Sequence, residues 1–422
     1  MTAVALAPPG AARARAARDL PVWPLGVLFA AFPLWWVLGL GAFVAPIAAV
    51  PMAVLMVRSR RRTRIPRGFL VWVLFLLWMV MAATQLDSGP RLVGFAFRLA
   101  AYVSATIFFL YVYNCSNRLL PAGRASGYVT LFCCWVVIGG YLGVLFPEGS
   151  LTTPFEKIVP GSIATNEFVK DLVHPKFAEI QAPWGSPEVF ERPSAPFAYT
   201  NAWGSHWALL MPFVLHYLLT RASGWRRAAT IVIVPLSLVP AFSTLNRGMF
   251  LAIGLGLVYV ALRFAMRGHV RWLGAVCGVL LVGMSAFWLS GLSSVISTRT
   301  QYSSTNTGRA AVYGEAFTRT LESPILGHGA PRPSETLGIS VGTQGQFWNI
   351  MFSFGFPALI LFCVWIWILA WRTRRVPASL LWLHAVPVMA AFMVFYYGLD
   401  GTQLVLIFTA GALALRPAEA PS

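Results

Sequence analysis

Runs of about 20 apolar residues recur along this chain, and short arginine-rich stretches separate many of them. A helix of that length crosses the hydrocarbon core of a bilayer, and inside that core the backbone must satisfy its own hydrogen bonds. The chain is 58% apolar and 11% charged over 422 residues, more apolar sequence than a soluble domain needs. The candidate spans, about twelve, are 22–38, 40–57, 68–86, 92–113, 126–146, 200–219, 228–242, 247–265, 271–291, 345–370, 378–397 and 402–415. The expected fold class is all-α: a polytopic transmembrane bundle with two long extracytoplasmic segments containing short helices. The chain divides into helices over 1–146, an extracytoplasmic loop over 147–199, core helices over 200–291, a second loop over 292–344 and C-terminal helices over 345–422.

A net charge of +18 raises the question of nucleic acid. Here the charge sits in short loops between spans, so it reads as topology and no nucleic-acid partner is expected. The basic loops at 58–67, 118–124, 221–227, 263–271 and 372–375 share one side with Arg416 and a basic head containing Arg13, Arg15 and Arg18. An even span count with both termini cytoplasmic satisfies the positive-inside rule at each of these loops. All acids but Asp19 and Glu419 then fall on the opposite side or at its membrane edge. The head shows no convincing cleavage site and is read as retained. The composition suits a bacterium, and the expected location is its plasma (inner) membrane. The five cysteines avoid the exported loops, so no disulfide is expected; no metal-ligand spacing occurs, and no cofactor is implied. A short amphipathic helix over 166–173, stopped by Pro175, is expected to rest on the bilayer surface.

Arginine is scarce on the exported side, yet two arginines there open apparent helices. Arg247 stands in Ser243-Thr-Leu-Asn-Arg-Gly248, with Ser243 and Thr244 as candidate caps. Arg309 follows Asn306 and Thr307, in a helix whose apolar face carries Val312, Tyr313, Ala316, Phe317, Thr320 and Leu321. Free backbone N–H groups and the helix dipole favour an anion at such ends. Each arginine alone fits a rim or snorkelling role, with Glu315 or Glu322 as partners for Arg309; together they form a candidate anion clamp. Arg192 lies in a stretch running into the span that Asn201 opens, where Tyr199 and Trp203 suit an interfacial belt. His328, in a glycine-flanked turn, is a candidate general base or a solvated loop histidine. Asp400, between the last two spans, is a candidate base or arginine partner.

The order of these features resembles the O-antigen ligase and polymerase family of membrane glycosyltransferases. The resemblance rests on Ser243/Thr244 to Arg247-Gly248, on Gly308-Arg309 to Tyr313, on Pro324-Ile-Leu-Gly-His-Gly329, and on the stretch from Arg192 to Asn201. It covers roughly 190–360. It implies a polyprenyl-pyrophosphate-linked glycan donor, a glycan or glycolipid acceptor, and inverting transfer without a metal. Arg247 and Arg309 would hold the pyrophosphate, with Arg192 assisting; Asn201, Tyr313 and Asp400 would support the site or the acceptor. The chain departs from the family pattern at Gln344, which occupies the place of the family's histidine. A glutamine orients a hydroxyl or phosphate oxygen but is no base, which leaves proton transfer to His328 or to no dedicated base. The alternative class is a flippase for lipid-linked oligosaccharides or another polysaccharide transporter. A transporter would line its cavity with polar groups through the membrane, whereas the charges here gather at one mouth, with Arg98 inside the fourth span the main exception.

Overall fold

The computed structural model describes residues 19–59, 62–161, 167–181, 189–289, 305–334, 340–399 and 401–416. Helices dominate. In chain order they are α1 (Trp23–Ala30), α2 (Phe32–Val37), α3 (Val44–Arg58), α4 (Phe69–Ala82), α5 (Gly89–Asn114) and α6 (Ala122–Leu145). After the short α7 (Glu167–Val173) and a hairpin of β1 (Ala178–Gln181) and β2 (Phe190–Pro193) come α8 (Thr200–Thr220), α9 (Gly224–Ser243), α10 (Arg247–Ala265) and α11 (Arg271–Leu289). The chain continues through α12 (Thr305–Thr320), a minimal ribbon of β3 (Arg332–Pro333) and β4 (Ser340–Val341), α13 (Gln346–Arg372), α14 (Leu381–Met393) and α15 (Thr402–Leu415).

Burial sorts the helices into centre and shell. From Trp203 to Val214 every residue of α8 is buried, and so is every residue of α15 from Gln403 to Leu413. A helix covered on all sides belongs at the middle of a bundle. Accordingly α8 packs on α6, α10, α14 and α15, and α15 on α5 and α14. The outer helices present apolar side chains outward instead: Leu70, Leu74 and Leu77 on α4, Val232, Leu236 and Val239 on α9, Ile360, Val364 and Trp367 on α13. An apolar belt of this kind around an apolar core is what a lipid-facing surface requires.

Six helical segments are long and apolar enough to cross a membrane: Gly41–Arg58, Gly89–Asn114, Ala122–Leu145, Gly224–Ser243, Arg247–Ala265 and Gln346–Arg375. Among the described residues, length and apolarity thus support six of the twelve expected spans. The first expected span, 22–38, is broken into α1 and α2, with Pro24 and Pro33 in their first turns. Four apolar helical segments are shorter: Phe69–Gln85, Arg271–Gly283, Ala378–Met393 and Thr402–Leu415.

The short basic loops do meet at one end. Asn114 bonds both the N–H and the carbonyl of Arg64. Arg372 donates to the Arg67 carbonyl, Arg267 to the Val376 carbonyl (2.7 Å), and Arg416 to the Leu120 carbonyl (2.8 Å). The long segments lie at the other end. There the hairpin lies on α6 because glycines leave room: a Cβ on Gly143 would fall 2.3 Å from the Phe177 carbonyl oxygen. The 166–173 helix is described as α7, but Val169 and Val173 are buried and α7 contacts the turn Gly41–Phe43. Its apolar side therefore packs on protein, where a bilayer contact was expected.

Candidate functional site

The α9–α10 corner holds Arg247. Helix α9 ends at Ser243, and Leu245 takes φ +51°, the left-handed region that turns the chain. The cap of α10 is Asn246, in place of the expected Ser243 or Thr244. A capping residue must directly precede the first helical residue with extended backbone, as Asn246 does at φ −95°, ψ 91°. The Ser243 and Thr244 hydroxyls instead donate back to the Val239 and Ala241 carbonyls of α9. Asn246 Oδ1 accepts from the Met249 N–H (3.4 Å) and from the Tyr397 hydroxyl (2.6 Å). Its amide donates to Asn201 Oδ1 (3.4 Å). Gly204 makes room for it, since a Cβ there would come within 2.4 Å of Asn246 Nδ2. The first helical residue, Arg247, is exposed at the positive end of α10.

Arg192 lies behind this corner. It is only 4% exposed. Its Nε donates to the Thr244 carbonyl (2.8 Å), and its Nη1 lies 3.7 Å from Glu179 Oε2. Glu179 also accepts from the Thr200 N–H, and Thr200 donates to the Arg192 carbonyl. This network joins β1, β2, the start of α8 and the turn before Arg247.

Arg309 stands near the start of α12, one turn before Tyr313; its side chain lies outside the described residues. Val312, Ala316 and Thr320 of α12 are buried, whereas Phe317 and Leu321, expected on the same face, are exposed. Glu315 holds Arg319 (3.2 Å) with one carboxylate oxygen and Ser334 (2.6 Å) with the other. The Tyr313 ring stacks on Trp348, centroids 4.2 Å apart, and its hydroxyl donates to the Gln344 carbonyl (3.1 Å).

One short turn, 394–399, links the α10 start to the α13 start and, through Trp348, to Tyr313 of α12. Gly248 packs against the Tyr396 ring and the Tyr397 hydroxyl. From the other side, the Trp348 indole donates to the Phe395 carbonyl (3.1 Å) and the Gln346 N–H to the Tyr397 carbonyl (2.7 Å). The Gln346 side chain accepts from the Leu399 N–H (2.8 Å) and donates to the Tyr102 hydroxyl. Asn201, Arg247, Tyr313 and Gln344 are thereby assembled around a common turn. Asp400, next in the chain, lies outside the described residues.

His328 is elsewhere. Its Nε2 meets the Arg319 carbonyl at 2.8 Å; a carbonyl only accepts, so Nε2 carries the proton. Arg319 is ten residues beyond Arg309, roughly 15 Å along an α-helix. The histidine is buried, its ring lies against Phe352 (4.6 Å), and burial lowers its pKa. The turn containing it fills a break in α13 at Gly355, where φ is +80°. The His328 and Gly329 N–H groups bond the Phe352 and Ser353 carbonyls, and Phe356 N–H bonds the Pro324 carbonyl. Gly355 itself touches the Ile325 carbonyl so closely that a Cβ would lie 2.3 Å away. The Pro324-to-Gly329 motif is thus the plug of a broken helix.

Sequence reasoning missed Asn246, Gln346, Tyr397 and Arg91. Asn246 had a signal, since asparagine is among the strongest helix caps. Arg91 pairs with Asp87 and donates to the His328 and Ala330 carbonyls, tying α5 to the plug. The Arg91 hydrogen bond is the main influence holding the Asp87 carboxyl below its usual range. Among the described residues, no three His, Cys, Asp or Glu side chains are grouped to hold a metal ion.

Residues 231–363 match the family model of the O-antigen ligases. The match supports an O-antigen ligase-like family for this chain. No curated protein matches it. The ligase-like segment contains Arg247, Arg309, Tyr313, His328 and Gln344, and leaves out Arg192, Asn201 and Asp400. It runs from within α9 through the plug to the middle of α13, so it includes the starts of α10 and α12. The match is consistent with a ligase-type activity, and the apolar helices with a membrane protein.

Proposed function

We propose that this protein is a membrane glycosyltransferase that takes a saccharide from a polyprenyl-pyrophosphate donor and joins it to a hydroxyl of a glycan or glycolipid acceptor. The observation that carries the reading is that the 394–399 turn packs against the start of α10 and, through Trp348, against Tyr313 of α12, both helices lying in the segment that matches the ligase family. Arg247 and Arg309 hold the diphosphate, aided by the backbone N–H groups of the first helical turns. The acceptor oxygen bonds to the anomeric carbon on the face opposite the diphosphate, and the carbon–oxygen bond to the diphosphate breaks with inversion. The bonding pair leaves with the diphosphate oxygen and adds one negative charge to the terminal phosphate, which the guanidinium groups stabilise.

Arg192 serves as a positioning residue, because its guanidinium is buried against the turn that presents Arg247. Gln344, beside Tyr313, orients the acceptor hydroxyl; Asn201 and Asp400 border the same mouth. His328 is better suited to hold the plug than to take the acceptor proton, since its contacts tie it to the far end of α12. The hydroxyl proton passes to solvent or product phosphate. In this reading the shorter apolar helices join the six longer ones in a bundle of about twelve spans. The basic loops and both termini face the cytoplasm of a bacterial inner membrane, and the site opens on the outer face.

Arg247→Ala and Arg309→Ala should each lower glycan transfer by at least about 100-fold in a purified assay, as loss of a charge-stabilising donor does. Expression and detergent-solubilised size should not change. Transfer retained by both variants ends the reading.

A further inference from the structure

Beside the arginine-bearing corner lies a second feature with different chemistry. A cleft of about 540 Å³ opens between the start of the long 147–199 segment, α7, β1 and the start of α8. That volume lies within the range of roughly 300–1,000 Å³ typical of small-molecule sites. Glu148, Asp171, His174, Lys176, Glu179 and Tyr199 line it. We infer that this cleft binds a saccharide, uncharged or amino-bearing, of the glycan that the transferase handles; this rests on the function proposed above.

Three features favour that ligand. The first is polarity: three carboxylates face a single lysine, a set that accepts hydrogen bonds from sugar hydroxyls or ammonium groups and disfavours a uronic acid. The second is order. Tyr199 donates to Asp171 (3.0 Å), and His174 is fixed by Glu156 (2.8 Å). Tyr199 keeps an exposed ring, an amphipathic surface suited to the face of a pyranose. The third is continuity. Glu179, in the cleft, bonds the Thr200 N–H and faces Arg192, whose other contact is the turn before Arg247. Asn201, two residues past Tyr199, accepts from the α10 cap. A diphosphate held at the α10 start would therefore lie next to the cleft, which is on the side where its glycan must extend away from the lipid tail.

The saccharide could belong to the donor or to the acceptor, and binding to the full-length protein in lipid nanodiscs separates them. Three probes are used: bare polyprenyl diphosphate, polyprenyl diphosphate carrying the saccharide extracted from native membranes, and the extracted acceptor glycolipid. The Glu148→Gln/Asp171→Asn variant should bind one glycan-bearing probe roughly ten-fold more weakly, the loss expected for charge-assisted hydrogen bonds, and bare diphosphate as the wild type does. A loss confined to the donor probe assigns the cleft to the donor glycan, and a loss confined to the acceptor probe assigns it to the acceptor. Unchanged affinity for both glycan-bearing probes, or equal weakening toward bare diphosphate, overturns the inference. Tyr199→Phe, which keeps the ring and removes the bond to Asp171, repeats the measurement if the carboxylate variant does not fold. Arg247→Ala is the control for the parent reading: if it binds bare diphosphate normally, that reading fails while the glycan arms still judge the cleft.

Discussion

At the end of the bundle that gathers the short basic loops, Arg263, Arg267, Arg372 and Arg416 each donate to a backbone carbonyl of another loop or helix end. At the opposite end, Arg91, Arg192 and Arg319 do the same. Arg247 differs from all of these in placement: it is exposed, at the first residue of a helix whose cap and packing are fixed by other side chains. The contrast shows that arginine count or sidedness does not identify a ligand group. A guanidinium held by carbonyls fastens the fold, whereas an exposed one at a helix start, with its backbone secured by neighbours, suits the proposed anion-binding role.

Arg192→Ala attacks the fastening half of that contrast. It strips a buried partner from Glu179 and from the Thr244 carbonyl, and should destabilise the protein by about 3 kcal/mol. Thermal or denaturant unfolding checks this. Arg247→Ala should stay within about 0.5 kcal/mol of the wild type in the same measurement, as exposed substitutions do. Equal destabilisation by the two would erase the distinction. Asn246→Ala acts on the presentation itself. Losing the cap should cost about 1 kcal/mol and, by releasing Tyr397 and Asn201, lower transfer more than stability alone explains. Asn246→Asp, which keeps an oxygen acceptor for the Met249 N–H and the Tyr397 hydroxyl, should recover the stability.

The smallest effect concerns the plug. Burial holds the His328 pKa below the ordinary histidine value of 6.5. The unfolded chain then binds a proton that the folded protein resists. The histidine's contribution is complete above the unfolded pKa and is lost as pH falls below it. Melting temperature should therefore drop between pH 7 and pH 5, and His328→Gln should flatten that slope. Identical slopes would show that His328 is not the titrating group.

Much of this was legible in the sequence because it followed from charge and apolar length. The loops at 58–67, 263–271 and 372–375 do come together, and Arg247 does open a helix, whereas α12 begins four residues before Arg309, at Thr305. The cap was misplaced because Ser243 and Thr244 look like caps until Leu245 is known to turn the chain. His328 looked like a base because sequence cannot show that its glycine-flanked turn fits a helix break far along the chain; that break depends on the left-handed conformation of Gly355. Tyr397 and Gln346 carry no local signal, since their partners lie far along the chain. The first expected span is divided at α1 and α2, where Pro24 and Pro33 open two short helices in a run that is uniformly apolar.

The central claim is that the α10 start grips a diphosphate. Equilibrium binding of polyprenyl diphosphate to the purified, nanodisc-embedded protein measures it without needing the sugar or the acceptor. The account predicts saturable binding that Arg247→Ala weakens at least about ten-fold while Arg192→Lys, which keeps the buried charge, retains most of it. Equal affinity in the wild type and Arg247→Ala would contradict it.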